Sequence, residues 1–489
     1  MFRFAPEAPP GNPLPVMPAL VLPPSLPRHT RHTPLTAAPR VATVLCALFA
    51  GALAIPSAQA HEGHDHGAAP ARSASPAKAT RPPVAVGAVF DASGRLWRVR
   101  VAPEREGRLV VDHSDDHGAH FSNPVNVNAA PEPVAAEGEL RPQILVALPD
   151  GAQRQAGDAA RVWVAWTSPL ASVPYAGHVR FARSSDGGRH FDAPLTVNDD
   201  RAPITHRFQT LHRSPDGRLF LAWIDKREGE AAKRQGQPYR GAAIYYAESR
   251  DDGATFSANA RHAAHTCECC RIALADDPSA PAGLAANRPL ALWRHVYSDA
   301  QGKSLRDHGL APLGGIADGA EPPRGSDDRW QVDACPHHGP ALAVAGDGTR
   351  HLAWFNLVGA TPALQYQARG RDGAPLFPPR KVGGDLAAHP ALFVRDRQVW
   401  LAWKEFDGQT TRVFVEHSAD GGRSWSAPRA LAASDGASDH PQLIDDRGRP
   451  YLSWNTLQEG YRLVALEESS AAMPTASLTA ATAPTDNTR

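Results

Sequence analysis

Three cysteines, Cys267, Cys269 and Cys270, fall within four residues of one another in the stretch HTCECCRIALADD. Cys335 follows far downstream in QVDACPHHGPAL, with His337 and His338 close behind it. Thiolates and neutral imidazoles in this combination suit a soft or borderline ion, Cu(I) before Zn(II). The CECC spacing presents two sulfurs at once, but it is not the two-pair spacing of a zinc ribbon. Two other chemistries use the same residues. In an oxidising compartment the thiols form two disulfides, or one disulfide that leaves two thiols free. The choice turns on where the fold places the two stretches relative to each other.

The compartment is legible near the N-terminus. Arg40 precedes an apolar run from Val41 to Ile55 that ends at AQA, the form of a secretory signal peptide cleaved after Ala60. The run is too short for a good membrane span and no second one follows, so no span is expected once the signal is removed. Residues 1–60 are therefore read as extension and signal, and the mature protein as periplasmic or secreted. Cleavage discards Cys46 and leaves Cys267, Cys269, Cys270 and Cys335. The new N-terminus, HEGHDHG, carries His61, His64 and His66 and reads as a flexible, weak metal-binding tail. Residues 61–83 form an Ala/Pro/Ser-rich linker. The 489 residues hold 51 basic and 51 acidic side chains, a balance that gives no reason to expect a nucleic-acid partner.

A repeat organises residues 84–467. Ser-x-Asp-x-Gly-x-x-aromatic occurs as Ser114 to Phe121, Ser184 to Phe191, Ser249 to Phe256 and Ser418 to Trp425. Each reads as a compact turn: serine and aspartate bond turn amides, glycine supplies the special backbone angles, and the aromatic packs inward. A degraded fifth copy spans Ala368 to Phe377. Seven apolar strand segments carry Trp97, Trp166, Trp223, Trp293, Trp354, Trp403 and Trp454. YRLVALEE supplies a further strand near the end, and residues 468–489 are a Ser/Ala/Thr-rich tail expected to be disordered.

The repeat resembles the Asp-box, or BNR, motif of sialidase-like β-propellers. The resemblance implies an all-β propeller, expected as one ring of four-stranded antiparallel blades, whose boxes are structural turns on the rim, away from any site. Seven tryptophan strands favour seven blades, with the six of classical sialidases as the alternative, and a strand from near the N-terminus is expected to complete the last blade. For a true sialidase the resemblance further implies three arginines on a substrate carboxylate, a tyrosine nucleophile with a glutamate partner, and an aspartate acid/base. Arg141 in RPQI resembles the family's early arginine motif only loosely, Arg207, Arg294 and Arg412 lie outside diagnostic contexts, and Tyr461 near Glu459 is the one candidate pair. The full set is not recognisable.

A second element precedes most tryptophan strands. It begins at Arg141, His206, His337, His389 and His440, and CECCRIAL holds the matching place in its unit. Read as the start of innermost strands, these positions converge on one mouth of the central channel. Cys267, Cys269, Cys270, Cys335, His337, His338, His206, His389 and His440 are then expected to share one metal site, and Asp333 and Asp439, just before such strands, are candidates to join it. Arg141, Arg294 and His295 join Asp333 and Asp439 as pocket candidates. The function expected is an exported propeller that handles copper or zinc. Two alternatives stand beside it: a sialidase-like hydrolase or carbohydrate-binding propeller, and a structural or protein-binding propeller with disulfides.

Overall fold

Tryptophan and β-branched residues at alternate positions form strands with one face against a neighbouring sheet. The computed structural model describes residues 82–148, 159–280, 287–332, 336–358 and 361–466. They form a seven-bladed β-propeller of antiparallel sheets. The innermost strands are Gly87–Phe90, Gln143–Ala147, His206–Arg213, Ala273–Ala275, Ala341–Val344, Ala388–Arg395 and Gln442–Asp446, one for each of blades 1 to 7. Each lies beside the next, and the last lies beside the first, so the ring closes. All six segments that the sequence marks contain or lead into innermost strands, though Cys267 to Cys270 lie ahead of theirs, which begins at Ala273.

The seven marked tryptophans sit on the second strand of each blade and are fully buried. Between each pair of neighbouring blades the described residues form an apolar cluster. Trp97 and Trp166 lie in the one between blades 1 and 2, Trp163 and Trp223 between blades 2 and 3, and Trp293 between blades 3 and 4. Burying one indole removes about 200 Å² of surface from water, on the order of 5 kcal/mol before chain entropy. One short helix, Arg227–Arg234, interrupts this pattern in blade 3.

The four Ser-x-Asp-x-Gly turns follow third strands at the rim. In each, the serine hydroxyl donates to the aspartate and accepts from the glycine N–H: Ser418 Oγ lies 2.8 Å from Asp420 Oδ1 and Gly422 N lies 2.8 Å from Ser418 Oγ. The same pair of bonds recurs at Ser114, Ser184 and Ser249.

Two expectations are corrected. Blades 4 and 7 have three strands in their main sheet among the described residues, not four. Blade 4 spends its chain on a separate hairpin, Tyr297–Ser298 with Ser304–Leu305. Nor, among the described residues, does an N-terminal strand complete blade 7, because Gly87–Phe90 pairs with Leu96–Ala102 as the inner strand of blade 1. Side chains close the ring instead. Gln442 Oε1 accepts from Ala88 N (3.2 Å) and its Nε2 donates to Ala88 O (3.0 Å), while Asp439 Oδ2 accepts from Val86 N at 3.0 Å.

Candidate functional site

The strand Ala260–Thr266 is the outermost of blade 3, and the innermost strand of blade 4 begins at Ala273. Cys267, Cys269 and Cys270 therefore lie on the radial crossing from rim to axis. Cys267 N donates to Arg294 O (2.9 Å) and Val296 N to His265 O (2.8 Å), which pins the crossing to blade 4. All three cysteines are buried in the apolar cluster between blades 3 and 4. Their sulfurs form a triangle with sides of 3.6, 3.8 and 4.0 Å, and no disulfide joins them. A disulfide needs about 2.05 Å. Ligands on a tetrahedral ion with 2.3 Å bonds stand about 3.8 Å apart. Arg306 Nη1 lies 3.5 Å from Cys267 Sγ, a cation placed to favour the thiolate. The hydrogen bond to Cys267, with burial behind it, pushes the Cys270 thiol up. Glu268 turns away to Lys226, 2.5 Å from its Nζ.

The imidazoles gather separately at the axis. His338, His389 and His440 come from blades 5, 6 and 7 and form a column, with ring centroids 4.4 Å and 3.5 Å apart. Glu139, just before the innermost strand of blade 2, closes the group. Its Oε1 accepts from Gly339 N at 3.2 Å and from His389 Nδ1 at 3.0 Å, and its Oε2 meets Arg271 Nη1 at 2.7 Å. Burial alone would raise this carboxyl. Arg271, His389 and Gly339 outweigh it and hold the group well below the usual carboxylate range. Burial depresses His389 to about 4 and keeps His338 and His440 well below 6.5, so the column is neutral at pH 7. Arg271 links the two groups: it directly follows Cys270, and its Nη2 also donates to Pro390 O at 2.7 Å.

The single Cys/His site expected from the sequence is thus two groups of donors. The crossing reaches the axis only at Arg271, so the thiols stop short of the histidine column. His206 joins neither group. Its Nδ1 bonds Gly177 O at 3.0 Å and its Nε2 lies 3.8 Å from Asp225. The inner strand of blade 3 starts about three residues early, and Gln209 holds the level of Arg141, donating to its carbonyl at 2.9 Å. A bulge beside Phe208, at φ +60°, absorbs the offset. His337 is exposed, outside both donor groups. Cys335, Asp333 and the tail histidines His61, His64 and His66 lie outside the described residues.

The pocket candidates divide as well. Arg141 pairs with buried Asp439 at 2.9 Å and borders an axial cavity of about 220 Å³ together with Glu139, Gln143, Arg271, His440 and Gln442. Arg294 is consumed by structure, donating to Phe355 O (2.6 Å) and His338 O (3.3 Å) under Trp330. His295 is buried between Trp293 and Tyr297, with burial lowering it to about 3. Sequence reasoning missed Glu139 and Arg271. Only Glu139 left a signal, an acid just ahead of an innermost strand, as Asp439 is.

No protein-family model matches the chain, and no curated protein matches it. Solved structures that resemble it include a PL25 ulvan lyase (11% identity, TM-score 0.46, covering 78% of this chain and 92% of that one). Another is a Penicillium chrysogenum alpha-L-arabinanase complexed with arabinobiose (13%, 0.44, 70% and 94%). A third is the Aleuria aurantia lectin (9%, 0.36, 72% and 95%). At these values the likeness carries no substrate or activity over to this chain.

Proposed function

We propose that this is an exported metal-handling propeller that binds a soft ion, Cu(I) in preference to Zn(II), through Cys267, Cys269 and Cys270. One observation carries the reading: three buried sulfurs, not bonded to one another, spaced 3.6 to 4.0 Å apart as ligands of one ion are. Arg306 beside Cys267 offsets the negative charge that thiolates bring into an apolar cluster. The test is elemental analysis of protein purified from its native compartment, with a thiol count. Stoichiometric copper or zinc that vanishes in a Cys269→Ala, Cys270→Ala variant is the expected result. A metal-free protein that takes up no Cu(I) under reducing conditions would end this reading.

A second reading has its own observation. The axial cavity is lined by Glu139, Arg141, Gln143, Arg271 and Gln442, groups that hydrogen-bond hydroxyls and carboxylates, as a carbohydrate ligand requires. Binding is favoured over sialidase-type hydrolysis, because Tyr461 bonds Ser453 (3.0 Å) and Glu459 is held by Thr456 (2.6 Å). A glycan array read with the reduced, full-length protein separates the two: saturable glycan binding lost in Arg141→Ala supports this reading.

A further inference from the structure

We infer that Glu139, His389 and His440 form a second cation site at the axis, independent of the thiols, for a borderline divalent ion such as Zn²⁺ or Co²⁺.

The donor atoms of these three residues all lie within 4.8 Å of one another. Glu139 Oε1 stands 3.0 Å from His389 Nδ1 and 3.7 Å from His440 Nε2. Oxygen and nitrogen ligands of a tetrahedral ion with bonds near 2.1 Å stand about 3.4 Å apart, between those two values. The ion takes the place of the hydrogen bond between His389 Nδ1 and Glu139 Oε1, and the ring proton moves from Nδ1 to Nε2, so the imidazole stays neutral. Arg271 keeps Oε2, so the carboxylate is oriented to offer one oxygen. The stacked rings of His389 and His440, inclined by 13°, must splay about their Cβ–Cγ bonds to point at a common centre.

Two further observations point to a missing ligand. His440 is 8% exposed, its Nδ1 has no hydrogen-bond partner, and its Nε2 is beyond hydrogen-bond distance of Glu139. A buried imidazole nitrogen without a partner is costly and uncommon in a native core, and Nε2 of the same ring borders the axial cavity beside Glu139. His389 adopts φ +54° directly before Pro390, a backbone state that both its side chain and the following proline disfavour. Such strain persists where the surroundings enforce it, typically at sites of function. Neutral imidazoles are also the form that binds metal.

The probe is Co²⁺, titrated into reduced, full-length protein carrying His61→Ala, His64→Ala and His66→Ala to silence the tail. Visible d–d bands report bound cobalt, and near-ultraviolet thiolate charge transfer reports sulfur ligation. We expect one equivalent that contributes d–d bands without thiolate charge transfer, separate from any equivalent held by the thiols. It should weaken at least 10-fold in Glu139→Gln and disappear in His440→Ala, while any thiolate band stays. Apo-state melting controls for folding, and His389→Gln replaces His440→Ala if that variant fails to fold. Absence of a sulfur-free equivalent, or its survival in both histidine variants, overturns the inference. Failure of the thiol reading is a different result: no thiolate band, with the sulfur-free equivalent intact.

Discussion

Gln442 of the last blade grips Ala88 of the first by both ends of its amide, accepting from N at 3.2 Å and donating to O at 3.0 Å. Gln143 does the same between blades 2 and 3, accepting from Leu211 N at 2.7 Å and donating to Gln209 O at 3.1 Å. The bonds of Gln442 stand where strand exchange would otherwise close the ring. Gln442→Ala leaves two partly buried backbone groups unsatisfied and should cost about 2 kcal/mol. Urea denaturation of wild type and variant measures it, and an unchanged midpoint would refute the closing role.

The guanidinium of Arg306 faces Cys267 Sγ at 3.5 Å. Removing it with Arg306→Met should raise the cost of ionising the thiols and weaken Cu(I) binding about 10-fold, without loss of stoichiometry. Competition with a colourimetric Cu(I) chelator reads the change.

His262 is buried against Trp293, accepts from Gly314 N through Nδ1 (3.0 Å), and is lowered by burial to about 3. The unfolded chain takes up a proton as pH falls through about 6.5, and the folded chain does not until about 3. The stability this supplies is fully present above pH 6.5 and is lost as pH falls toward 3. The loss at pH 4.5 relative to pH 7 should be about 3 kcal/mol from this residue. His262→Gln, which keeps an acceptor for Gly314 and does not titrate, should flatten that part of the curve in denaturation series across pH.

Gly118 and Gly422 occupy the same place in two copies of the rim turn, at φ +87° and +86°. A methyl group at Gly118 meets only Leu96 and Phe121 at 3.6 Å, whereas at Gly422 it lands on the Tyr366 hydroxyl. Gly118→Ala should cost about 1 to 2 kcal/mol from backbone strain alone. Gly422→Ala should cost about 1 to 3 kcal/mol more through overpacking. Equal denaturation midpoints would show that the Tyr366 contact yields freely.

The sequence made the blades legible because each repeats the same physical demands. An indole must be buried on a second strand, and a Ser-x-Asp-x-Gly turn must close the hairpin that follows. These are local constraints with a period. The leading ends of the inner strands were legible for the same reason, and they brought His338, His389 and His440 together. What stayed hidden depends on offsets that have no period. The bulge at Phe208 shifts His206 off the axis. The radial path of the crossing keeps Cys267, Cys269 and Cys270 from the histidines. Glu139 reaches partners that are 132, 200 and 250 residues away in the chain, and no spacing rule finds such a residue.

The closure by Gln442 has a consequence for how the chain is ordered. Among the described residues each blade is woven from one continuous stretch, and no strand is lent across the seam. The seam between blades 7 and 1 is bridged by a side-chain amide, like the junction between blades 2 and 3. The ring has no privileged first blade. A circular permutant that joins the flanks of Val84 and Leu466 and opens the chain between two other blades keeps every described sheet intact.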